Sequence, residues 1–235
     1  GLSYAEGDLL VFSDDDVLPD VNWLKELRAA ADSHPSHSIF GGPVLPEWES
    51  TPEDWILSWV PLKVAFSILD DQEEGDKNGG NATIFGPNMA VRSNIFEIGY
   101  KFDENIGPNG ANYAMGSETD LLLRLRHAGF KAWHCKNAIV KHMIRSSQMD
   151  RRWILARAIR YGRGVYRSGL VRSEGKPHLW GIPVRLYLDI LNKILRLGAA
   201  RLSRNDEGIF NQHWNLNVFV GMATEARNMY KESKK

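Results

Sequence analysis

The chain has 235 residues, 43% apolar and 25% charged, enough to bury a full core in one domain with or without an appendage. No run of about 18 apolar residues occurs, which excludes a bilayer span built from one continuous stretch, and the lone Cys135 excludes an internal disulfide framework. The formal net charge is zero, yet residues 1–120 hold 22 Asp and Glu against 6 Lys and Arg, while residues 121–235 hold 7 against 23. Such segregation suits an acidic half that holds a cation and a basic half that faces phosphate, nucleic acid or a lipid surface. The plainer alternative is mutual neutralisation where the halves pack.

The first element is "DLLVF" (8–12), an apolar run of strand length followed at once by Asp14, Asp15 and Asp16 and then Pro19. A helix follows, with Asp20 or Asn22 as its cap and Trp23, Leu24, Leu27, Ala30 and Ala31 as its apolar stripe. "SIFGGPV" (38–44) reads as a second strand ending at a glycine pair. Residues 51–69 form a Trp-rich, partly helical insert, and 72–81 a polar loop. "ATIFGPNMAVR" (82–92) is a strand broken at Gly86-Pro87. A helix starts near Ser117 and ends at a Gly129 C-cap. "FKAWHCKNAIVKH" is strand-like, "QMDRRWILARAIRYGRGVYRSG" is helical and Arg-rich, and two further helices follow Pro183. Strands alternating with helices predict an α/β fold with a mostly parallel sheet flanked by helices.

Three adjacent carboxylates repel one another and need water or a counter-charge. In an open α/β sheet ligands gather at the carboxyl ends of the strands, which is where the triplet sits. An EF-hand loop starting at Asp14 fails twice, with Pro19 at the sixth position and Lys25 at the twelfth. One Cys and scattered His offer no zinc cluster. Hard oxygen ligands leave Mg²⁺, Mn²⁺ or Ca²⁺, with substrate phosphates completing the shell. Capping of the next helix alone would use one acid, not three.

"GLSYAEGDLLVFSDDDVLPDVNWL" resembles the middle of the family-2 glycosyltransferases of GT-A fold, in which a strand ends in an Asp-x-Asp motif holding a divalent metal on a nucleotide-sugar diphosphate. "IFGPNMAVRSNIFEIGYKFDENIG" resembles the acceptor-side strand and helix of that family. "GSETDLLLRLRHAGFKAWHCKNAIVKH" resembles the helix that supplies the catalytic base, followed by a strand ending in His. The resemblance covers residues 1 to about 170. It implies a GT-A-like (Rossmann-like) core in which Asp16 ligates Mg²⁺ or Mn²⁺, Asp14 lies nearer the ribose or the waters of the metal, and Asp15 fills the variable position on the donor side. It also matches His142 to a His that closes on the diphosphate and metal. The usual helix-start motif Gly-Glu-Asp-x-Asp is here Gly116-Ser117-Glu118-Thr119-Asp120, so Glu118 stands where the base is expected. Ser117 replaces the preceding acid, which leaves the choice between Glu118 and Asp120 open.

By the same resemblance the donor is a UDP-, GDP- or dTDP-sugar, the acceptor a hydroxyl of a saccharide or lipid-linked saccharide in cell-surface polysaccharide synthesis, and transfer proceeds with inversion. Arg145, Arg151, Arg152, Arg157, Arg160, Arg163, Arg167 and Arg172 lie close together in sequence. Arginine matches phosphate bidentately, so Arg145, Arg151 and Arg152 are candidates for the donor diphosphate. Residues 1–145 are the expected catalytic core and 146–235 an Arg-rich helical extension. In the extension, Tyr187, Leu188, Leu191, Ile194, Leu195 and Leu202 share one side of a helix, opposite Arg185, Asp189, Asn192 and Arg196. Such a helix either packs on the domain or lies in a membrane interface, and a cytoplasmic, peripheral place at the inner face of the cell membrane is expected. The family places a nucleotide-binding strand-helix-strand unit before the Asp-x-Asp strand, so the sequence reads as N-terminally truncated, with that part incomplete and a sheet edge left open. Two other classes compete. A nucleic-acid-binding protein would use the arginines but meets the acidic first half, and a non-catalytic carbohydrate-binding protein would use the eight Trp.

Overall fold

The computed structural model describes residues 2–77, 84–108, 110, 113–171 and 177–234. The end of the polar loop, the first two residues of "ATIF" and Arg172 lie outside them. In chain order the elements are β1 (Leu9–Phe12), β2 (Val17–Pro19), α1 (Trp23–Ser33), β3 (Ile39–Gly41), β4 (Val44–Trp48), α2 (Asp54–Trp59), α3 (Leu62–Ala65), β5 (Gly75–Asp76), β6 (Met89–Arg92), α4 (Asn94–Glu97), α5 (Ser117–His127), β7 (Ala132–His134), β8 (Val140–Ile144), α6 (Arg151–Arg167), β9 (His178–Leu179), β10 (Ile182–Pro183), α7 (Val184–Leu202) and α8 (Asp206–Glu232). They form two compact units. One comprises residues 1–50, 62–102 and 118–145, the other 51–61, 103–117 and 146–235.

In the first unit a five-stranded sheet has the order β1-β6-β3-β7-β5. β3 and β7 are parallel, and β6 runs antiparallel to both β1 and β3. The three strands β1, β3 and β7 therefore point one way, as expected of an α/β sheet, with β6 reversed between the first two. β5 adds an antiparallel edge on β7, and β1 is the opposite edge, with Val11 exposed. Alternation along each strand divides the core. Ile39, Met89 and Val91 face Leu121, Leu122 and Leu125 of α5 on one side. Phe40 and Ala90 face Trp23, Leu27 and Ala31 of α1 on the other. The expected architecture, a sheet flanked by helices, is present, with a mixed ladder in which β3 and β7 are the parallel pair.

A second sheet, β2-β8-β4, pairs β8 antiparallel with β2 and parallel with β4. The "FKAWHCKNAIVKH" run is thus two strands in two sheets, bent where the Ala138 N–H donates to the Cys135 carbonyl at 3.0 Å. Asn22 holds the N-cap position of α1 without a side-chain cap bond; instead the Asp20 carboxylate accepts the Asn22 N–H at 2.9 Å. Gly129, at φ 89, follows α5 as expected.

In the second unit α6 and α8 touch backbone to backbone. A Cβ on Gly162 would come within 2.0 Å of the Val218 carbonyl oxygen, and one on Gly221 within 2.1 Å of that of Ile159, so only glycine permits this crossing. One turn further, buried Glu225 accepts from Arg163 Nε at 2.7 Å and from Arg167 Nε, and Arg167 also reaches Glu232 at 2.9 Å. Two of the clustered arginines are therefore structural. Trp55 of α2 packs its ring edge on Phe210 of α8, 5.5 Å between centroids. α7 lies along α8, and its Leu186 and Leu197 are buried. Of the two alternatives for the stripe, packing on the domain does not hold for Leu188, Leu191, Ile194, Leu195 and Leu202, which are exposed.

Candidate functional site

Three of the sequence-derived candidates, Asp16, His142 and Glu118, converge in the first unit at the carboxyl end of β1. Asp16 directly precedes β2, and the β2–β8 ladder sets Val17 opposite His142. The Met143 N–H donates to the Asp16 carbonyl at 2.8 Å, fixing the backbone of the acid to β8. As a result, Asp16 Oδ1 stands 3.3 Å from His142 Nε2, with both side chains largely buried. On the far side of the ring, Nδ1 is 2.7 Å from the Phe66 carbonyl oxygen. A carbonyl only accepts, so Nδ1 carries the proton and donates it. In the neutral ring Nε2 is then a lone pair aimed at a carboxylate oxygen. Two acceptors so placed are satisfied by a second ring proton or by a cation that both ligate. Ser67, which follows Phe66, sits at φ 55, a left-handed conformation uncommon outside glycine and asparagine that tightens the turn leaving α3.

Glu118 approaches the same region from the first turn of α5. The Ser13 hydroxyl, at the root of the acid triplet, donates to the Pro87 carbonyl at 3.4 Å, so the triplet leans on the 3₁₀ turn Gly86–Asn88. The same turn faces Glu118: a Cβ on Gly86 would meet Glu118 Cγ and Cδ at 3.3 Å. The carboxylate is thus laid against bare backbone at the N-terminal end of the helix. Asp120 has a different setting. It is buried, its Oδ2 accepts from Arg124 Nε at 2.9 Å, and Arg124 in turn bonds the Lys101 carbonyl at 2.7 Å.

Asn88 fastens this end of the sheet. Its side chain, with no exposed surface, accepts from Trp23 Nε1 at 2.8 Å and donates to the carbonyls of Pro43 at 2.9 Å and Ala138 at 2.6 Å. One residue therefore joins α1, the β3–β4 junction and the β7–β8 bend to the turn beneath the acid triplet. Reading the sequence missed Asn88, Phe66 and Lys63. Lys63 is carried on α3 with its ammonium 5.5 Å from the ring centroid of Phe85, next to Gly86. The signal for Asn88 was a polar residue opening an otherwise apolar strand.

Asp14 and Asp15 are exposed on the turn between β1 and β2. Arg145 is exposed just after β8. Arg151 and Arg152 lie in the second unit, in the first turn of α6: the Arg151 guanidinium lies 5.5 Å from the Phe210 ring, and the Arg152 N–H bonds the Asp150 cap. Among the described residues no group of three or more His, Cys, Asp and Glu could hold a metal by itself. Asp16 with His142 is a two-ligand pair, which fits a hard cation that fills its shell with phosphate oxygens. Two cavities open elsewhere in the unit, one around Leu122 and Ala132 and one around Arg126, His127 and Lys131, and neither is lined by Asp16, Glu118 or His142. The family model described as glycosyl transferase family 2 matches residues 1–98, a span that contains Asp14–Asp16 and Gly86–Asn88. No curated protein matches the chain.

Proposed function

From the match of residues 1–98 to the glycosyl transferase family 2 model, we propose that the chain moves a sugar from a UDP-, GDP- or dTDP-linked donor to a hydroxyl of a saccharide or glycolipid in cell-surface polysaccharide synthesis. The observation that carries the reading is the Asp16 carboxylate 3.3 Å from an imidazole whose other nitrogen is tied to the Phe66 carbonyl. Asp16 and His142 would hold Mg²⁺ or Mn²⁺, with Asp14 on the ribose side. Bound there, the cation supplies positive charge beside the departing diphosphate. Glu118 accepts the proton of the attacking hydroxyl, a role open to a half-buried carboxylate held on a rigid helix end. Asp120, whose carboxylate accepts from Arg124, is the alternative base. Direct attack by the acceptor, with no sugar carried on the enzyme, inverts the anomeric carbon. Arg145, exposed at the end of β8, is suited to the diphosphate.

Calorimetric titration with Mn²⁺ together with UDP, GDP or dTDP tests the donor side. Asp16→Ala is expected to weaken the Mn²⁺-dependent affinity by about tenfold or more, and an unchanged affinity overturns the cation assignment. Glu118→Gln is expected to keep nucleotide affinity while transfer is lost. Full transfer by that variant would remove Glu118 as the base.

A further inference from the structure

α7 presents two opposite faces. Leu186 and Leu197 are buried, whereas Val184, Leu188, Leu191, Leu195 and Leu202 are 37%, 60%, 54%, 65% and 89% exposed. Spacings of four, three, four and seven residues set these five on one line down the helix, with half-exposed Ile194 beside it. At the N-terminal end the Tyr187 hydroxyl donates to the Leu179 carbonyl at 3.1 Å, which binds the tip of the β9–β10 hairpin to the helix. Leu179 and Trp180 at that tip are 47% and 74% exposed. Trp180 at φ 51 and Gly181 at φ 80 make a two-residue turn with both central residues left-handed. Asn and Gly enter that conformation readily, and a bulky aromatic enters it at a cost. The turn holds an indole in solvent beside an apolar line that stays exposed among the described residues.

The margins of the line select the occupant. Arg185 and Arg196 run along one side and Arg201 along the other, and Asp189, 3.3 Å from Arg185, is the only acid in the helix. Residues 146–235 carry 17 Lys and Arg against 7 Asp and Glu. A second copy packed on this seam would bring like-charged margins together, whereas an anionic bilayer would accept both the leucines and the guanidinium groups. No helix among the described residues is long and apolar enough to cross a membrane. We propose that α7 lies in the plane of an anionic lipid surface, its leucine line among the acyl chains, its arginines at the phosphates and Trp180 at headgroup level. This contact does not depend on the transfer reaction, and its test requires no turnover.

Flotation of the 235-residue chain with vesicles of phosphatidylcholine, alone and with increasing phosphatidylglycerol, reads it directly. Binding is expected to appear with phosphatidylglycerol and to weaken with salt. Reversing Arg196 and Arg201 to Glu should lower it by about fivefold or more per site, and Leu191→Ser with Leu195→Ser by about tenfold or more. All four positions are exposed, so the fold is retained. Trp180→Asn separates a structural role from a lipid-binding one, since it relieves the turn: its Tm should stay equal or rise while vesicle binding falls. Equal binding to neutral vesicles, unchanged binding of the serine pair, or sedimentation showing a dimer that the serine pair dissolves would each overturn the assignment.

Discussion

Asn88 is the sharpest point at which to break the acidic end of the sheet. Replacing it with Ala removes three hydrogen bonds of 2.6–2.9 Å from a site with no solvent exposure. At about 1 kcal/mol net each, the bonds account for roughly 3 kcal/mol. The Trp23 indole N–H and the Pro43 and Ala138 carbonyls are then left unpaired, and incomplete access of water to them adds about 1–2 kcal/mol. The expected loss is about 4–5 kcal/mol, on the order of a 10 °C fall in Tm for a chain of this size. Urea unfolding followed by tryptophan fluorescence measures it, because Trp23 is one of the bonded partners. Asn88→Asp keeps the shape but places a carboxylate against two carbonyl oxygens. Burial and those dipoles raise its folded pKa above the unfolded value of about 4. The folded state then holds the proton more tightly, so this variant loses stability as pH rises from about 4 toward the raised folded value. A loss below about 1.5 kcal/mol in Asn88→Ala, or a pH-independent Asn88→Asp, would refute the reasoning.

Burial pushes the Cys135 thiol up to about 12, against a weaker opposing bond to Gly41, so at pH 8 the folded chain should resist maleimide and become labelled only in urea; ready labelling in buffer would contradict this. His213 is held below its usual value by burial and by the charges of Arg201 and Arg151. The unfolded chain therefore takes up this proton first, and stability should fall as pH drops below about 6.5; His213→Asn should flatten that acid limb in urea titrations at several pH values. Gly86→Ala puts a methyl 3.3 Å from Glu118 Cδ in a backbone conformation that alanine accepts. If Glu118 is the proposed base, moving it by a few tenths of an ångström should lower kcat by about tenfold with Tm and nucleotide affinity unchanged, and steady-state kinetics showing full activity would count against that role.

What the sequence made legible was local. Asp14–Asp16 at the end of an apolar run marked the carboxyl end of β1, and the reading of strands and helices located α1, β3, α5, α6, α7 and α8. The resemblance also named His142 and Glu118, but their placement depends on partners far along the chain. His142 faces Asp16 because Val17 is in register with it, 125 positions apart in sequence, and no periodicity reports such a pairing. Asn88 reads as one polar residue before a strand until Pro43 and Ala138 are brought to it. The reversed β6 was invisible because a short apolar strand has no direction in its pattern. The packing of α7 stayed open in the sequence because both of its faces carry apolar residues, and only the fold shows that Leu186 and Leu197 are the buried ones.

The two sides of the candidate site share a mechanical support. The root of the acid triplet rests on Pro87 through Ser13, Glu118 lies on Gly86, and Asn88 locks the same turn to both flanking layers. A pair of acceptors held 3.3 Å apart is stable only while its positive partner, a proton or a cation, is present, so the backbone around Asp16 and His142 must be rigid enough to tolerate its loss. The β2–β8 ladder provides that rigidity on one side and the Gly86–Asn88 turn on the other. Softening the turn should therefore weaken cation-side binding and base positioning together, whereas a change at Asp16 or at Glu118 should affect only one of them.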